Sequence, residues 1–169
     1  CGKGALWDLC TGCGCIGIAL KKVFPLLSVS LSDISSEALD LARENGTKNE
    51  VEVEYCLGDL LAPFENRKAD FIVCNPPYIR AEEFSTLPYA VRHFEPKKAL
   101  VGGERGTEMY ERLATELPLF LNGGGQVFFE IGFSQQKAME EIFPLSIWVH
   151  RQCLEDWAGH SRFFFLEKQ

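Results

Sequence analysis

Residues 5–23 read ALWDLCTGCGCIGIALKKV, and this stretch decides the fold of the chain. It predicts a short apolar strand over residues 5–10, a glycine-rich turn, and a helix over residues 16–23. The helix should end before Pro25, because the residue that precedes a proline avoids the helical region. A strand that runs through a glycine-rich turn into a helix is typical of α/β sheets that bind nucleotide-type cofactors.

Apolar strands and amphipathic helices alternate along the rest of the chain. The patterns predict strands over residues 28–34, 51–56, 70–74, 126–131, 147–153 and 162–167. They predict helices over residues 37–45, which Gly46 should end, 107–121, which Pro118 should end or kink, and 135–142, and an irregular stretch over 75–106. Such alternation implies a mostly parallel sheet with helices on both faces. The last two strands are joined without a helix, so we expect one antiparallel edge strand in a single α/β domain spanning residues 1–169.

Composition and charge exclude several classes of protein. The chain has 169 residues, of which 46% are hydrophobic and 24% charged, an ordinary globular composition. Its longest apolar runs are far shorter than the roughly 20 residues that cross a bilayer, so we expect no membrane segment. The net charge is −7 with no basic run longer than a pair, which argues against direct nucleic-acid binding because phosphate neutralisation supplies most non-specific affinity. Seven cysteines without a secretory leader indicate a reduced, cytoplasmic protein, which we expect to be a monomer.

Three of the cysteines, Cys10, Cys13 and Cys15, lie in the glycine-rich turn. A tetrahedral zinc site needs four ligands with paired spacing, and no second pair accompanies these three. A thioredoxin-like redox pair requires a Cys-x-x-Cys that opens a helix, and here glycines interrupt the run. We therefore expect no metal, and small residues that fill a tight turn.

Residues 12–17 match Gly-x-Gly-x-x-Gly, and Asp33 follows about 20 residues later, at the end of the next strand. The loop alone leaves NAD and S-adenosylmethionine open. Asp8 closes the first strand, and no lysine or arginine lies between it and residue 17, which disfavours a pyrophosphate and suits a cationic sulfonium or ammonium group. Asp59 is a third strand-end carboxylate that can accept from an adenine amino group, with Leu60 expected to cover the ring.

The segment Asn75-Pro76-Pro77-Tyr78 follows the fourth strand at the same edge of the sheet. Its two prolines remove N–H donors and stiffen the backbone, so the segment presents the Asn75 side-chain oxygen and backbone carbonyls as a row of acceptors. Such a row suits a planar –NH₂ group, whose nitrogen is a poor nucleophile. Two acceptors that bind its hydrogens would offset the charge that grows on this nitrogen during methyl transfer, and in-line alignment would supply the rest.

These motifs resemble those of the class I S-adenosylmethionine-dependent methyltransferases that act on planar –NH₂ groups, which have a Rossmann-like fold. The matching segments are 8–14, 33–35, 58–59 and 75–78. Further segments resemble the HemK-type release factor glutamine methyltransferases: Phe94-Glu95-Pro96, Ala99-Leu100, Gly102-Gly103, Gly106, Glu130-Ile131-Gly132 with Gln135 or Gln136, and Asp156, Gly159 and Arg162. Because the Asn-Pro-Pro-Tyr segment is shared with adenine-N6 and guanine-N2 nucleic-acid methyltransferases, the Glu-Pro stretch carries the narrower assignment.

The resemblance implies methyl transfer to the glutamine amide nitrogen (N5) in the Gly-Gly-Gln motif of class-1 peptide release factors, with S-adenosylhomocysteine as product. It implies a seven-stranded, mostly parallel sheet with one antiparallel strand. The residues expected to bind S-adenosylmethionine are Asp8, Cys10, Thr11, Gly12, Cys13, Gly14, Asp33, Ile34, Asp59, Leu60 and Asn75. Those expected to bind the substrate are Asn75, Pro76, Pro77, Tyr78 and Glu95, with Asn75, Pro76 and Tyr78 catalytic. Alternatives are a nucleic-acid amino methyltransferase and, in another class, an NAD-binding module.

The chain departs from the family pattern at several positions. Cys10 stands where this loop often has glycine, so the turn must tolerate a side chain, and Phe94 stands where the family has tyrosine. The first residue is Cys1 rather than methionine, so we expect a fragment that lacks the helical N-terminal docking domain of the family. The triplet Gly124-Gly125-Gln126 is expected to form a hairpin-like turn.

Overall fold

The first half of the chain alternates strands and helices as its apolar pattern requires. The computed structural model describes residues 2–169. The first elements are β1 (Gly4–Leu9), α1 (Cys15–Val23), β2 (Leu27–Asp33), α2 (Ser36–Lys48), β3 (Glu54–Leu57) and β4 (Ala69–Cys74). β3 begins three residues later than the pattern predicts. α2 continues past Gly46 instead of ending there. The missing side chain at Gly46 leaves room for the hydroxyl of Tyr55, which a Cβ would overlap.

The second half contains β5 (Ile79–Arg80), α3 (Tyr89–Phe94), α4 (Lys97–Leu100), β6 (Val101–Gly103), α5 (Glu108–Phe120), β7 (Leu121–Glu130), α6 (Gln136–Ile142), β8 (Trp148–Glu155) and β9 (Ser161–Lys168). α5 continues two residues past Pro118. The stretch 75–106 is therefore not irregular throughout, since β5 and β6 pair in a small parallel sheet. No helix within residues 2–169 is both long and apolar enough to cross a membrane.

Seven strands form the main sheet in the order β3-β2-β1-β4-β7-β9-β8. β9 is antiparallel to both of its neighbours, and the other pairings are parallel. The expected fold class is thus confirmed, but the antiparallel strand does not lie at the edge. α6 carries the chain across to β8, which takes the edge position, and the tight turn at Asp156–Gly159 then returns β9 into the gap beside β7.

The triplet Gly124-Gly125-Gln126 lies inside β7 and forms no hairpin turn. The pairing between β4 and β7 jumps from Ala69 opposite Leu121 to Phe71 opposite Gln126. The extra residues of β7 bulge out of the sheet at this jump, which a positive φ of 72° at Gly124 accommodates. β7 pairs with β4 both before and after this bulge, so the expectation of a hairpin-like turn is wrong.

Side chains that alternate along β1 build two cores, one on each face of the sheet. Trp7 and Leu9 point into the larger core, where Trp7 stacks on Phe64 with ring centroids 4.1 Å apart. Leu6 points into the smaller core with Leu31 and residues of α1 and α2. With both faces covered, the groups available to a ligand lie where the strands end.

Candidate active site at the carboxyl edge of the sheet

Strand register brings the predicted site segments together at one edge. Leu9 lies opposite Cys74 in the β1–β4 pair and opposite Ser32 in the β1–β2 pair. Neighbouring strands lie about 4.8 Å apart, so Cys10 and Asn75 leave the sheet side by side. The glycine loop and the Asn-Pro-Pro-Tyr segment therefore flank the same opening.

Asp8 holds the glycine loop from beneath. It is 1% exposed, and its Oδ2 accepts hydrogen bonds from the Thr11 hydroxyl at 2.7 Å and the Gly17 N–H at 2.9 Å. Burial raises the pKa of Asp8 to about 6, although both hydrogen bonds oppose the rise. The site thus keeps a carboxylate that is costly to ionise directly under the loop.

Asp33 fastens the loop to the end of β2. Its Oδ2 accepts the Gly12 N–H and its Oδ1 accepts the Ser35 N–H, both at 2.9 Å. Gly12 has a φ of 55°, and a Cβ built there would have no atom within 4 Å. The loop therefore presents an open surface beside the Asp33 carboxylate. Further along, Gly14 begins α1 with a left-handed φ of 81°, and the Asn45 side chain donates to the Cys13 carbonyl at 2.9 Å.

Asp59 forms an ion pair with Arg112 of α5. The Asp59 carboxylate accepts from Arg112 Nη2 at 2.7 Å and from Nη1 at 3.4 Å. The next side chain, Leu60, is 5% exposed and lies in the larger core, so it does not offer the expected cover over a ring. Ile34, beside Asp33, is an exposed apolar side chain at this edge, with 66% of its surface exposed.

The cysteines of the loop are free thiols. Cys10 adopts a left-handed φ of 54°, so the position does require the backbone that glycine takes most easily. Burial raises the pKa of the Cys15 thiol, and it raises that of Cys74 well above its ordinary value, so both stay protonated near neutral pH. Within residues 2–169, no group of three His, Cys, Asp or Glu side chains is placed to hold a metal ion.

The segment after β4 presents one free carboxamide and one anchored phenol. Asn75 is exposed, and its side chain makes no hydrogen bond within the described part of the chain. Pro76 behind it is buried. The Tyr78 hydroxyl donates to Glu130 Oε1 at 3.0 Å and accepts from Arg162 Nη1 at 3.4 Å. Burial raises the pKa of Tyr78, which keeps the phenol protonated and able to donate.

A cavity of about 870 Å³ opens beside Tyr78. Residues of β5, α5, α6 and their loops line it, Gln135 among them, together with Arg162 of β9. Neither Asn75 nor the glycine loop lines this cavity. Glu95, an expected substrate contact, is exposed at the end of α3; it lies outside the cavity lining and outside every ion pair of residues 2–169. The assignment of Glu95 as a substrate contact therefore stays a prediction.

A family model described as the methyltransferase small domain matches residues 2–94, a range that includes the glycine loop, all three strand-end carboxylates and the Asn-Pro-Pro-Tyr segment. The chain belongs to this family. The family membership confirms that the glycine loop is that of a methyltransferase and not of an NAD-dependent enzyme.

Relatives and solved structures agree with this assignment. The release factor glutamine methyltransferase of Chlamydia trachomatis serovar L2 is 45% identical over 99% of this chain and 57% of its own length. A methyltransferase from Pyrococcus furiosus has the same fold, with a TM-score of 0.75 and 19% identity over 99% of this chain and 75% of that chain. A 16S rRNA methyltransferase from Thermus thermophilus, solved in complex with AdoMet and guanosine, matches with a TM-score of 0.68 and 17% identity, over 98% of this chain and 38% of that chain. The resemblance to the HemK-type family is thereby confirmed, and the chain spans about 57% of the curated relatives it matches.

Several contacts within this methyltransferase site are not predicted from the sequence. Arg112 pairs with Asp59 across 53 positions, and Glu130 bonds to Tyr78 across 52. Glu130 and Gln135 belong to a segment matched by resemblance, but no local pattern shows what they touch.

Proposed function

We propose that residues 1–169 are the catalytic domain of an enzyme that uses S-adenosylmethionine to methylate the glutamine amide nitrogen in the Gly-Gly-Gln motif of class-1 peptide release factors. The observation that carries the proposal is the exposed, uncommitted Asn75 carboxamide beside the glycine loop, at the ends of adjacent strands. The relative that is 45% identical over nearly the whole chain bears the name of this activity, which favours a protein substrate over a nucleic acid.

The residues at the glycine loop fit S-adenosylmethionine by charge and by space. Asp8 and Asp33 lie at the ends of β1 and β2, and no lysine or arginine lies within residues 8–17, so the loop favours a positive ligand; the charge of Asp59 is already paired with Arg112. Asp33 can accept from ribose hydroxyls beside the open face of Gly12, and exposed Ile34 offers an apolar surface to the adenine ring. When bound, the cofactor supplies a methyl group on a positively charged sulfur.

The rim after β4 would bind the substrate amide. Asn75 Oδ1 and the Pro76 carbonyl accept the two amide hydrogens, and the fixed ring of Tyr78 packs beside them. Holding both hydrogens localises the nitrogen lone pair and offsets the charge that develops during transfer. Methyl transfer from the bound cofactor would form one nitrogen–carbon bond and break the sulfur–carbon bond, and the amide would then lose one proton to water. No general base is required before the transfer.

Transfer of a labelled methyl group to a purified class-1 release factor tests the proposal. We expect Asn75→Ala to lower kcat by at least about 100-fold, as the loss of one electrostatic contact to a transition state does, while the Kd for S-adenosylmethionine changes by less than about threefold. Asn49→Ala is the matched control, because Asn49 is exposed at the far end of α2. Full activity of Asn75→Ala would overturn the assignment.

Thermal unfolding with three ligands tests the cofactor separately. S-adenosylmethionine and S-adenosylhomocysteine should each raise Tm, since a ligand at 100 times its Kd stabilises by about 2.7 kcal/mol. NAD at the same concentration should leave Tm unchanged. A rise with NAD alone would contradict the proposed cofactor.

A further inference from the structure

One buried carboxamide joins three loops at the active edge of the sheet. Gln135 is 8% exposed and immediately precedes α6. Its Nε2 donates to the Tyr78 carbonyl and to the Gly106 carbonyl, both at 3.0 Å. Its Oε1 accepts the Gly132 N–H at 2.8 Å. Both donors of this side chain and its acceptor are therefore used, and every partner is backbone.

Two glycines bring the neighbouring backbone close enough for this arrangement. A Cβ at Gly102 would overlap the Pro77 carbonyl, and a Cβ at Gly106 would overlap the Tyr78 carbonyl. The backbone of Pro77 and Tyr78 thus lies directly on β6 and on the loop between β6 and α5. At this contact, the Gln135 side chain bonds to both segments, through the Tyr78 carbonyl and the Gly106 carbonyl.

Tyr78 is the anchor of the rim. Pro76 and Pro77 have no N–H to donate, and within residues 2–169 the Asn75 side chain makes no hydrogen bond. Tyr78 is held at both ends, at its carbonyl by Gln135 and at its hydroxyl by Glu130 and Arg162. Whatever fixes Tyr78 therefore restricts the backbone that carries the Pro76 carbonyl and the Asn75 side chain.

The geometry points to Gln135 as a positioning residue for methyl transfer, which acts by holding the Asn75–Tyr78 rim at the angle that aligns the substrate nitrogen. This role rests on the proposed function. Gln135 makes no hydrogen bond to the glycine loop or to Asp33, so its loss should affect turnover and leave cofactor affinity in place. Only a carboxamide supplies two donors and one acceptor at this length; a carboxylate would set negative oxygens against two carbonyls.

The variant Gln135→Glu and the matched control Gln136→Glu test this role. Gln136 is the next residue but is exposed, and it bonds to Glu140 and Ser161 instead. We expect Gln135→Glu to lower kcat about 10- to 100-fold, since a displacement of about 1 Å at a reacting group costs that much. The Kd for S-adenosylmethionine should stay within about threefold, and Gln136→Glu should keep kcat within about twofold. Wild-type kcat in folded Gln135→Glu, or equal losses of turnover and cofactor affinity, would overturn the role.

The pH dependence separates positioning from simple destabilisation. At a temperature where circular dichroism shows the variant fully folded, the kcat of Gln135→Glu relative to wild type should rise as pH falls, because a protonated carboxyl regains one donor. A purely structural role would lower Tm and leave the kcat of folded molecules unchanged at every pH. A ratio that does not change with pH would contradict the inference.

Backbone hydrogen exchange tests the positioning role of Gln135 in the absence of a substrate. Backbone amides of β5, directly after Tyr78, should exchange at least about tenfold faster in Gln135→Glu than in wild type or Gln136→Glu. If no release factor is methylated by the wild-type chain, the proposed function fails, but this exchange measurement still decides whether Gln135 holds the rim. Equal exchange in the three proteins would show that it does not.

Discussion

Replacing Asp8 with asparagine should stabilise the free chain and weaken its cofactor site. Asp8 is buried under the glycine loop, and its pKa rises from 3.8 to about 6 because burial penalises the charged form. The folded chain therefore holds this proton more tightly than the unfolded chain does. Between about pH 4 and pH 6, the folded state binds more protons, so its stability falls as pH rises through this window.

The pKa rise sets the size of the effect. At about 1.4 kcal/mol per pKa unit, a rise to about 6 corresponds to about 3 kcal/mol at neutral pH. Asp8→Asn keeps an oxygen that accepts from Thr11 and Gly17 but carries no charge in either state. The variant should therefore match wild type near pH 4 and exceed its free energy of unfolding by about 3 kcal/mol at pH 7.5.

Urea unfolding of ligand-free protein at pH 4.5, 6 and 7.5 measures this difference. Asp156→Asn is the control of opposite sign, because backbone N–H groups of His160 and Ala158 lower the pKa of Asp156, so that variant should lose stability at neutral pH. Calorimetry should show the Kd of Asp8→Asn for S-adenosylmethionine raised at least about tenfold, since the loop loses its buried negative charge. A stability difference that is the same at all three pH values would refute the reasoning.

Three further variants test other contacts of the site. Arg112→Ala should lower the free energy of unfolding by less than about 1 kcal/mol, since its pair with Asp59 is half exposed, but should raise the Kd for S-adenosylmethionine severalfold in a calorimetric titration. Cys10→Gly should raise the free energy of unfolding in urea by up to about 1 kcal/mol, because it relieves a left-handed backbone, whereas Cys13→Gly should lower it; a lower free energy of unfolding for both variants would contradict this. Tyr78→Phe should lower the free energy of unfolding by about 1 kcal/mol, since Glu130 loses a half-buried hydrogen-bond donor, and a Tm equal to that of wild type would exclude Tyr78 as the anchor of the rim.

Local patterns in the sequence are sufficient to predict the sheet and the segments at its active edge. The alternation of apolar strands and helices predicts the parallel sheet, because each element must bury one face. The Gly-x-Gly-x-x-Gly run and the Pro-Pro pair predict their own backbone conformations, because glycine tolerates the positive φ of a tight turn and proline fixes φ. Both segments therefore lie where the sequence indicates, on neighbouring strand ends.

Contacts between distant residues could not be predicted in this way. The bonds of Arg112 to Asp59 and of Gln135 to Tyr78 join residues more than 50 positions apart, and their geometry depends on register and on how the loops pack. The interior position of β9 likewise depends on which gap the last hairpin enters. Leu60 shows the same limit, because its burial follows from the backbone at the end of β3 and not from its neighbours in sequence.

The central claim is that the rim after β4 presents a glutamine amide to a methyl donor bound at the glycine loop. Tandem mass spectrometry of a class-1 release factor, incubated with the chain and S-adenosylmethionine, tests it most directly. The account predicts one added methyl group, on the side-chain nitrogen of the glutamine in the Gly-Gly-Gln motif, and none when Asn75→Ala replaces the wild-type chain. A methyl group on any other residue, or the same product from Asn75→Ala, would contradict it.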